Sequence, residues 1–332
     1  MSAVACIEGS RSRQATAAVP PAGMASIPGG TFQMGSREHL VANEQAPHVV
    51  TVRPFLLDSL EVTTSAFAAF VSATGHVTTA ERPVDWEQLR QELPPGTPQP
   101  PLEALQPGAL VFVPPDRPVN LDDESAWWRW TAGASWRHPG GPGTDTTGRG
   151  RHPVVQVSWH DAAAYCAWVD KRLPSEAEWE FAARGGLEGK RFSWGDDPIT
   201  PARANTWQGT FPRQNAGTDG HPETAPVGSF QANGYGLHDM AGNVWEWTAD
   251  AFEDPAAGTG APLERIIRGG SFLCHESYCT GYRVAARMHA TPATGLMHTG
   301  FRCARDLVTT ARRSPRRRSA GAPSPRSARH GP

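Results

Sequence analysis

Two helix starts stand almost back to back in the middle of the chain, and they limit what the rest can become. Ser158-Trp-His-Asp161 and Ser175-Glu-Ala-Glu178 each place a hydroxyl at the cap and a carboxylate three residues on, which satisfies the free N–H groups of a first helical turn. The first predicts a helix with Ala162, Tyr165, Cys166 and Val169 on its inner face, broken by Lys171-Arg-Leu-Pro174. The second turns Trp179, Ala182 and Ala183 inward and stops at Gly185-Gly186. One more helix is expected from Thr63 or Thr64, with Phe67, Phe70 and Val71 on one face and Gly75 as its end. Elsewhere 34 glycines and 31 prolines, together with 12 tryptophans, favour a loop-heavy globular domain over a helical bundle.

Strands fill part of the remainder. Met24 to Gly35 reads as a strand, a turn at Gly29-Gly30 and a second strand, and His48 to Asp58 continues with β-branched and aromatic residues. Nine prolines between Pro94 and Pro118 exclude a regular helix or a central strand, so residues 94–118 read as a long surface loop or insertion. The cluster Trp127, Trp128, Trp130 and Trp136 is assigned to packing rather than to a ligand platform. From Phe192 onward the text is loop, turn and short strand without clear periodicity. The expectation is one α+β domain, irregular and low in regular secondary structure, over residues 24–306. Residues 1–23 read as a disordered leader and 307–332 as a disordered Arg-rich tail.

The net charge of −2 hides an asymmetry: beyond Asp306 there are seven arginines and no acid, leaving residues 1–306 at about −9. A solvated tail is preferred to a nucleic-acid-binding one. No apolar run reaches membrane-spanning length, and the N-terminus has neither a basic start nor an apolar core, so a cytoplasmic protein is expected. Five cysteines are too few for a disulfide scaffold of this size.

The chemistry gathers in Arg268-Gly-Gly-Ser271-Phe-Leu-Cys274-His275-Glu-Ser-Tyr278-Cys279, which follows the apolar strand-like run Arg265-Ile-Ile-Arg268. Two thiolates suit a soft ion such as Cu(I), or form a redox or structural disulfide, and the residues alone leave these open. Zinc would need further ligands, with His275 the only local candidate. Ala204 to Gly209, Asn215 to His221 and Asp239 to Trp247 set Asn and Asp oxygens on glycine-rich backbone. Those are the ingredients of a hard-cation site and equally of ordinary Asx turns. No H-E-x-x-H, P-loop, dinucleotide fingerprint or G-x-S-x-G is present.

Arg268 to Cys279, followed by Tyr282-Arg-Val-Ala-Ala-Arg287 and Gly300-Phe-Arg-Cys-Ala304, resembles the catalytic segment of formylglycine-generating enzymes. Arg172-Leu-Pro-Ser-Glu-Ala-Glu-Trp-Glu-Phe-Ala-Ala-Arg-Gly-Gly186 is similar to a signature of the wider sulfatase-modifying-factor fold, and the resemblance spans about Met24 to Asp306. It implies a C-type-lectin-like fold and a copper-dependent oxidase. That enzyme would use O2 to convert the cysteine of a Cys-x-Pro-x-Arg motif in a sulfatase to Cα-formylglycine. Cu(I) would be held by Cys274 and Cys279, with Ser271, Trp245, Tyr278 and His275 lining the site. Structural Ca2+ would take Asn205, Thr206, Asp219 and His221, and then Asp239, Gly242, Val244 and Glu246. The substrate would be an unfolded sulfatase polypeptide bound extended in a surface groove of a monomer, and Cys166–Cys303 is a disulfide in some members. The lack of a histidine ladder argues against the iron-dependent sulfoxide synthases of the same fold. Four positions depart from the family pattern near the expected groove: Gly281 where several members carry Arg, Ala290 and Ala293 in Ala290-Thr-Pro-Ala293 for Asn-Thr-Pro-Asp, and His298 for Asn. The alternative is a non-catalytic binding module of the same fold, with Cys274–Cys279 a plain disulfide. Most relatives without the activity also lack the cysteine pair.

Overall fold

The computed structural model describes residues 20–38, 43–90, 96–253 and 264–307. The expected leader and tail therefore lie outside the described residues, apart from 20–23 and 307. In the N-terminal half the elements are β1 (Met24–Ile27), β2 (Gly30–Met34), β3 (His48–Val52), β4 (Phe55–Asp58), α1 (Thr64–Thr74), the single-turn α2 (Trp86–Leu89), β5 (Gly108–Phe112) and β6 (Trp128–Ala132). The centre holds α3 (Trp159–Trp168), α4 (Glu176–Ala183) and the two-residue strands β7 (Gly209–Thr210) and β8 (Gln214–Asn215). The chain closes with β9 (Trp245–Phe252), β10 (Glu264–Arg268), β11 (Met288–Ala290), β12 (Thr299–Gly300) and β13 (Ala304–Asp306).

The three longer helices begin where their caps require. Thr63 accepts from the Ala66 N–H, and Gly75, at φ 68°, returns its N–H to the Val71 carbonyl. Both capping boxes form, Ser158 with Asp161 and Ser175 with Glu178. Ala162, Tyr165, Cys166, Trp179, Ala182 and Ala183 are buried as their spacing predicts, whereas Val169 is the C-cap of α3. Strands order as β1-β4-β13 and β11-β10-β9-β12, with β12 parallel to β9, and three two-stranded ribbons complete the set.

Two expectations change. The proline-rich stretch is not loop throughout: β5 occupies its proline-free gap between Pro107 and Pro114 and pairs antiparallel with β6, setting Phe112 opposite Trp128. A two-stranded ribbon tolerates flanking prolines that a central strand could not. The eight-residue β9 also escapes a periodicity reading. Its first four residues are all buried, so no alternation marks them.

The core divides into three clusters: Phe67, Tyr165, Trp247 and Phe301 around α1 and α3; Leu57 and Trp179 around α4; and Phe112, Trp127, Phe211 and Phe272 beside β5. Cys166 and Cys303 are joined within the first, Cα–Cα 5.7 Å, tying α3 to the residue before β13 across 137 residues. Arg268, at the end of β10, is fully buried and bonded to Glu176 and Glu180 of α4. That anchors the start of the cysteine segment on the helix whose capping box was legible at the outset.

Candidate active site

After Arg268 the backbone turns through Gly269-Gly270. A Cβ on Gly270, which sits at φ +73°, would stand 2.5 Å from the Tyr282 nitrogen, so only glycine lets the turn pack there. The Cys274 N–H then donates to the Ser271 carbonyl at 2.9 Å, and the Leu273 N–H to Ser271 Oγ at 3.2 Å. The His275 carbonyl accepts from both the Tyr278 and Cys279 N–H groups, at 2.9 and 2.7 Å. That doubled acceptance folds Cys279 back onto Cys274. The two are joined as a disulfide with Cα atoms 4.8 Å apart.

The pair lines a cavity of about 360 Å³, together with Trp245 and Ser271. Trp127, Trp128, Phe211 and Tyr278 form an aromatic wall, and Met288, His289, Ala290 and His298 stand among the other lining residues. Exposed Glu124 and Ser125 also line it. The Tyr278 ring lies parallel to Phe211 at 4.7 Å and edge-on to Trp127 at 5.3 Å, and its hydroxyl donates to Glu124. Burial, then that bond, pushes the phenol up, so Tyr278 stays protonated. Burial pushes His298 down to about 3, leaving a neutral imidazole in the cavity wall.

Of the six expected site residues, five converge here: Cys274, Cys279, Ser271, Trp245 and Tyr278. His275 does not. It lines a separate hollow with Gln208, Glu276 and Tyr282, and its Nδ1 pairs with Ser277 Oγ at 2.8 Å. Its contribution is the turn-making carbonyl. Among the family departures, Ala290 and His298 line the cavity and Ala293 is exposed outside it. Gly281 touches the site from behind: a Cβ there would meet Trp245 Cη2 at 2.3 Å and Cys279 Sγ at 3.2 Å. Glu124, Trp127, Trp128 and His289 were not foreseen as site residues. The tryptophan cluster was visible, but its assignment to packing holds for Trp136, only partly for Trp127 and Trp128, which pack and also face the cavity, and not for Trp130, which is exposed.

The oxygen-rich loops are stitched directly to the cysteine segment. Trp207 N–H donates to the Cys274 carbonyl at 3.0 Å, Gly242 N–H to Gly269 at 2.8 Å, and Phe272 N–H to the Asn243 carbonyl at 2.9 Å. In the first loop Asn205 Oδ1 is buried without a partner, while the Thr206 carbonyl and Asp219 Oδ2 converge on the Gln208 amide nitrogen at 2.5 and 2.7 Å. The His221 N–H donates to Asp219 Oδ1. Two oxygens meeting on one amide donor, with an unpartnered buried amide oxygen in the same loop, are oxygens of the kind a hard cation takes.

In the second loop Asp239 Oδ1 and, beside it, Glu61 Oε2 are buried and unpartnered. Burial and then the Asp239 charge push Glu61 well above the usual carboxylate range, and burial raises Asp239 too. Glu246, expected among the ligands of this loop, is instead committed to Arg302 through both oxygens at 2.7 Å and to Trp179 Nε1 at 2.8 Å. The free carboxylate oxygen belongs to Glu61, which sequence reasoning passed over although it is an acid between Leu60 and Val62. Among the described residues no three His, Cys, Asp or Glu side chains form a metal cluster. A cation at either loop would therefore rest on carbonyl and amide oxygens as well.

Fold and site together define a class, and the chain belongs to it: residues 10–307 match the family described as the sulfatase-modifying factor enzyme 1-like domain. It is 48% identical over 303 residues to a formylglycine-generating enzyme of Thermomonospora curvata, covering 86% of this chain and 93% of that protein. To the enzyme of the same name from Mycobacterium tuberculosis it is 46% identical over 307 residues, covering 86% and 98%. An inactive C-alpha-formylglycine-generating enzyme 2 of Mus musculus is 39% identical over 287 residues, covering 85% of each chain, so membership alone does not decide activity. Among solved structures, PvdO from Pseudomonas aeruginosa superposes with a TM-score of 0.55 at 28% identity, over 86% of this chain and 94% of that one.

Proposed function

We propose that this chain converts the cysteine of a Cys-x-Pro-x-Arg motif in an unfolded sulfatase to Cα-formylglycine with O2, and thereby activates the sulfatase. The observation that carries the reading is the adjacency of Cys274 and Cys279 in the lining of an aromatic-walled cavity. Reduced, the pair suits a Cu(I) ion, which when bound would supply a soft site with room for the substrate thiolate and a redox partner for O2. The residues around it do the rest. Trp127, Trp128, Phe211 and Tyr278 accept the peptide and exclude water, the Glu124 bond fixes the Tyr278 ring, and the turn at Ser271 holds Cys274. Oxidation of the thiol-bearing carbon to the aldehyde level removes two electrons. Reduction of O2 to water thus takes two more from a pair of external thiols, which leave as a disulfide, and hydrolysis of the thioaldehyde releases hydrogen sulfide.

Asn205, Thr206, Asp219 and His221, with Asp239, Gly242, Val244 and the added Glu61, are proposed as oxygen ligands of structural Ca2+. That ion would fasten loops whose hydrogen bonds run to the cysteine segment rather than along strands. One observation favours a second reading: the two sulfurs are joined here, and an inactive relative shares the family. The chain would then be a binding module with a plain disulfide. Thiol-reduced protein loaded with Cu(I) and incubated with a Cys-x-Pro-x-Arg peptide separates the two. Conversion is read as the mass loss of CH2SH becoming CHO, and Cys279→Ser should abolish it. Unchanged peptide with the wild type, or undiminished conversion in the variant, rejects the oxidase.

A further inference from the structure

The hydroxyl-bearing side chains of the cavity have all found partners within the protein. Tyr278 is bonded to Glu124, Ser125 to Asp123, and the Thr291 and Thr294 hydroxyls to each other. Ser271 Oγ receives the Leu273 N–H, and His289 is in contact with Glu264 and stacked on Phe252. His298 is different. Its carbonyl accepts the Trp245 N–H at 2.9 Å, its ring rests 4.9 Å from that of Trp128, and Nδ1 lies 3.4 Å from Thr299 Oγ1. Nothing among the described residues pairs with its other ring nitrogen.

An extended peptide that brings a cysteine to Cys274 and Cys279 carries backbone N–H groups into this aromatic cleft, where each loses water and needs an acceptor. The indoles of Trp127, Trp128 and Trp245 can only donate. We propose that His298 Nε2 accepts a backbone N–H of the substrate beside the reacting cysteine, so that His298 is a substrate-positioning residue; this rests on the function proposed above. The assignment is consistent in its chemistry: with Nδ1–H directed at Thr299 Oγ1, the neutral ring presents Nε2 as an acceptor. Burial favours the same neutral form. An asparagine, as the family pattern carries there, offers an acceptor oxygen of similar reach.

The test uses a Cys-x-Pro-x-Arg peptide in which serine replaces the cysteine, so that binding is read without turnover, by calorimetry on the full chain. His298→Leu, which keeps the volume and removes the acceptor, should weaken binding about tenfold, the worth of one net hydrogen bond at the upper end. His298→Asn should restore affinity to within about threefold, less than half the free-energy loss of the leucine variant. N-methylation at the serine or at the residue after it should weaken binding to the wild type at one of the two positions and leave His298→Leu unaffected there. His298→Ala checks the result should the leucine variant fold poorly. Equal affinity for wild type and His298→Leu, or an N-methyl effect of the same size in both, overturns the proposal. Wild-type conversion of the cysteine peptide with unchanged binding in His298→Leu sinks only this inference. Absence of both conversion and binding in the wild type removes the oxidase reading and this one with it.

Discussion

Gly281→Ala is a small change that reaches the reacting end of the cavity without replacing a lining residue. The new methyl would sit 2.3 and 2.4 Å from Trp245 Cη2 and Cζ2, against an ordinary carbon contact of about 3.5–4.0 Å. The indole must therefore retreat by roughly 1.2–1.7 Å. Gly281 has no left-handed φ, so the backbone is not the obstacle. Trp245 is buried, but one side of it faces the cavity, and the ring has room to swing that way. The stability penalty should thus stay near the lower end of the overpacking range, about 1–2 kcal/mol. Activity should suffer more, because a displacement on the order of 1 Å at a reacting centre can cost about a hundredfold. We expect kcat/KM for the peptide to fall by at least about tenfold while urea unfolding loses no more than about 2 kcal/mol. Wild-type kcat/KM in Gly281→Ala would refute the claim that Trp245 must hold its present place. A loss of stability large enough to account for the lost activity would refute it equally.

Two further outcomes concern the buried charges beneath the site. Glu61 and Asp239 hold protons more tightly folded than unfolded, so without Ca2+ the protein should gain stability from them as pH falls from neutrality toward about 4.3. Glu61→Gln removes that burden and should be the more stable protein at pH 7 in EDTA by about 1–3 kcal/mol. Thermal scans should show the gap closing toward acid and reversing when Ca2+ is added; a gap independent of pH counts against the assignment. Arg302, fully buried, faces Glu246 and the charges of Glu61 and Asp239, and also donates to the Asp58 and His238 carbonyls. Arg302→Met strands three carboxylates and should cost about 3–5 kcal/mol in denaturant unfolding. A loss below about 1 kcal/mol would mean that Arg302 does not neutralise them.

What the sequence could and could not disclose follows from the range of the interactions involved. Capping boxes and glycine stops act within four residues, and so the ends of α1, α3 and α4 were readable to about a residue. The cysteine pair was readable too, since one short turn brings both sulfurs together. His275, inside that same turn, shows the limit: its neighbours in sequence are site residues, yet its side chain points into another hollow. Direction along an irregular turn is fixed by tertiary bonds and carries no period to count. Glu124, 154 residues from its partner Tyr278, and Glu61, 182 from Asn243, lie further out of reach. Each is an acid whose meaning comes only from the group it meets. Asn243 makes the same point most sharply. It holds a positive φ of 62°, donates through its amide to Glu61, and accepts from Ala225 and Asn205. Its backbone N–H goes to Asn205, and its carbonyl takes the Phe272 N–H two residues before Cys274. In sequence it is one asparagine beside a glycine, the commonest of turn signals. In the fold it is the point through which both oxygen-rich loops reach the sulfurs, so the placement of the cysteines depends on a residue that no local pattern distinguishes.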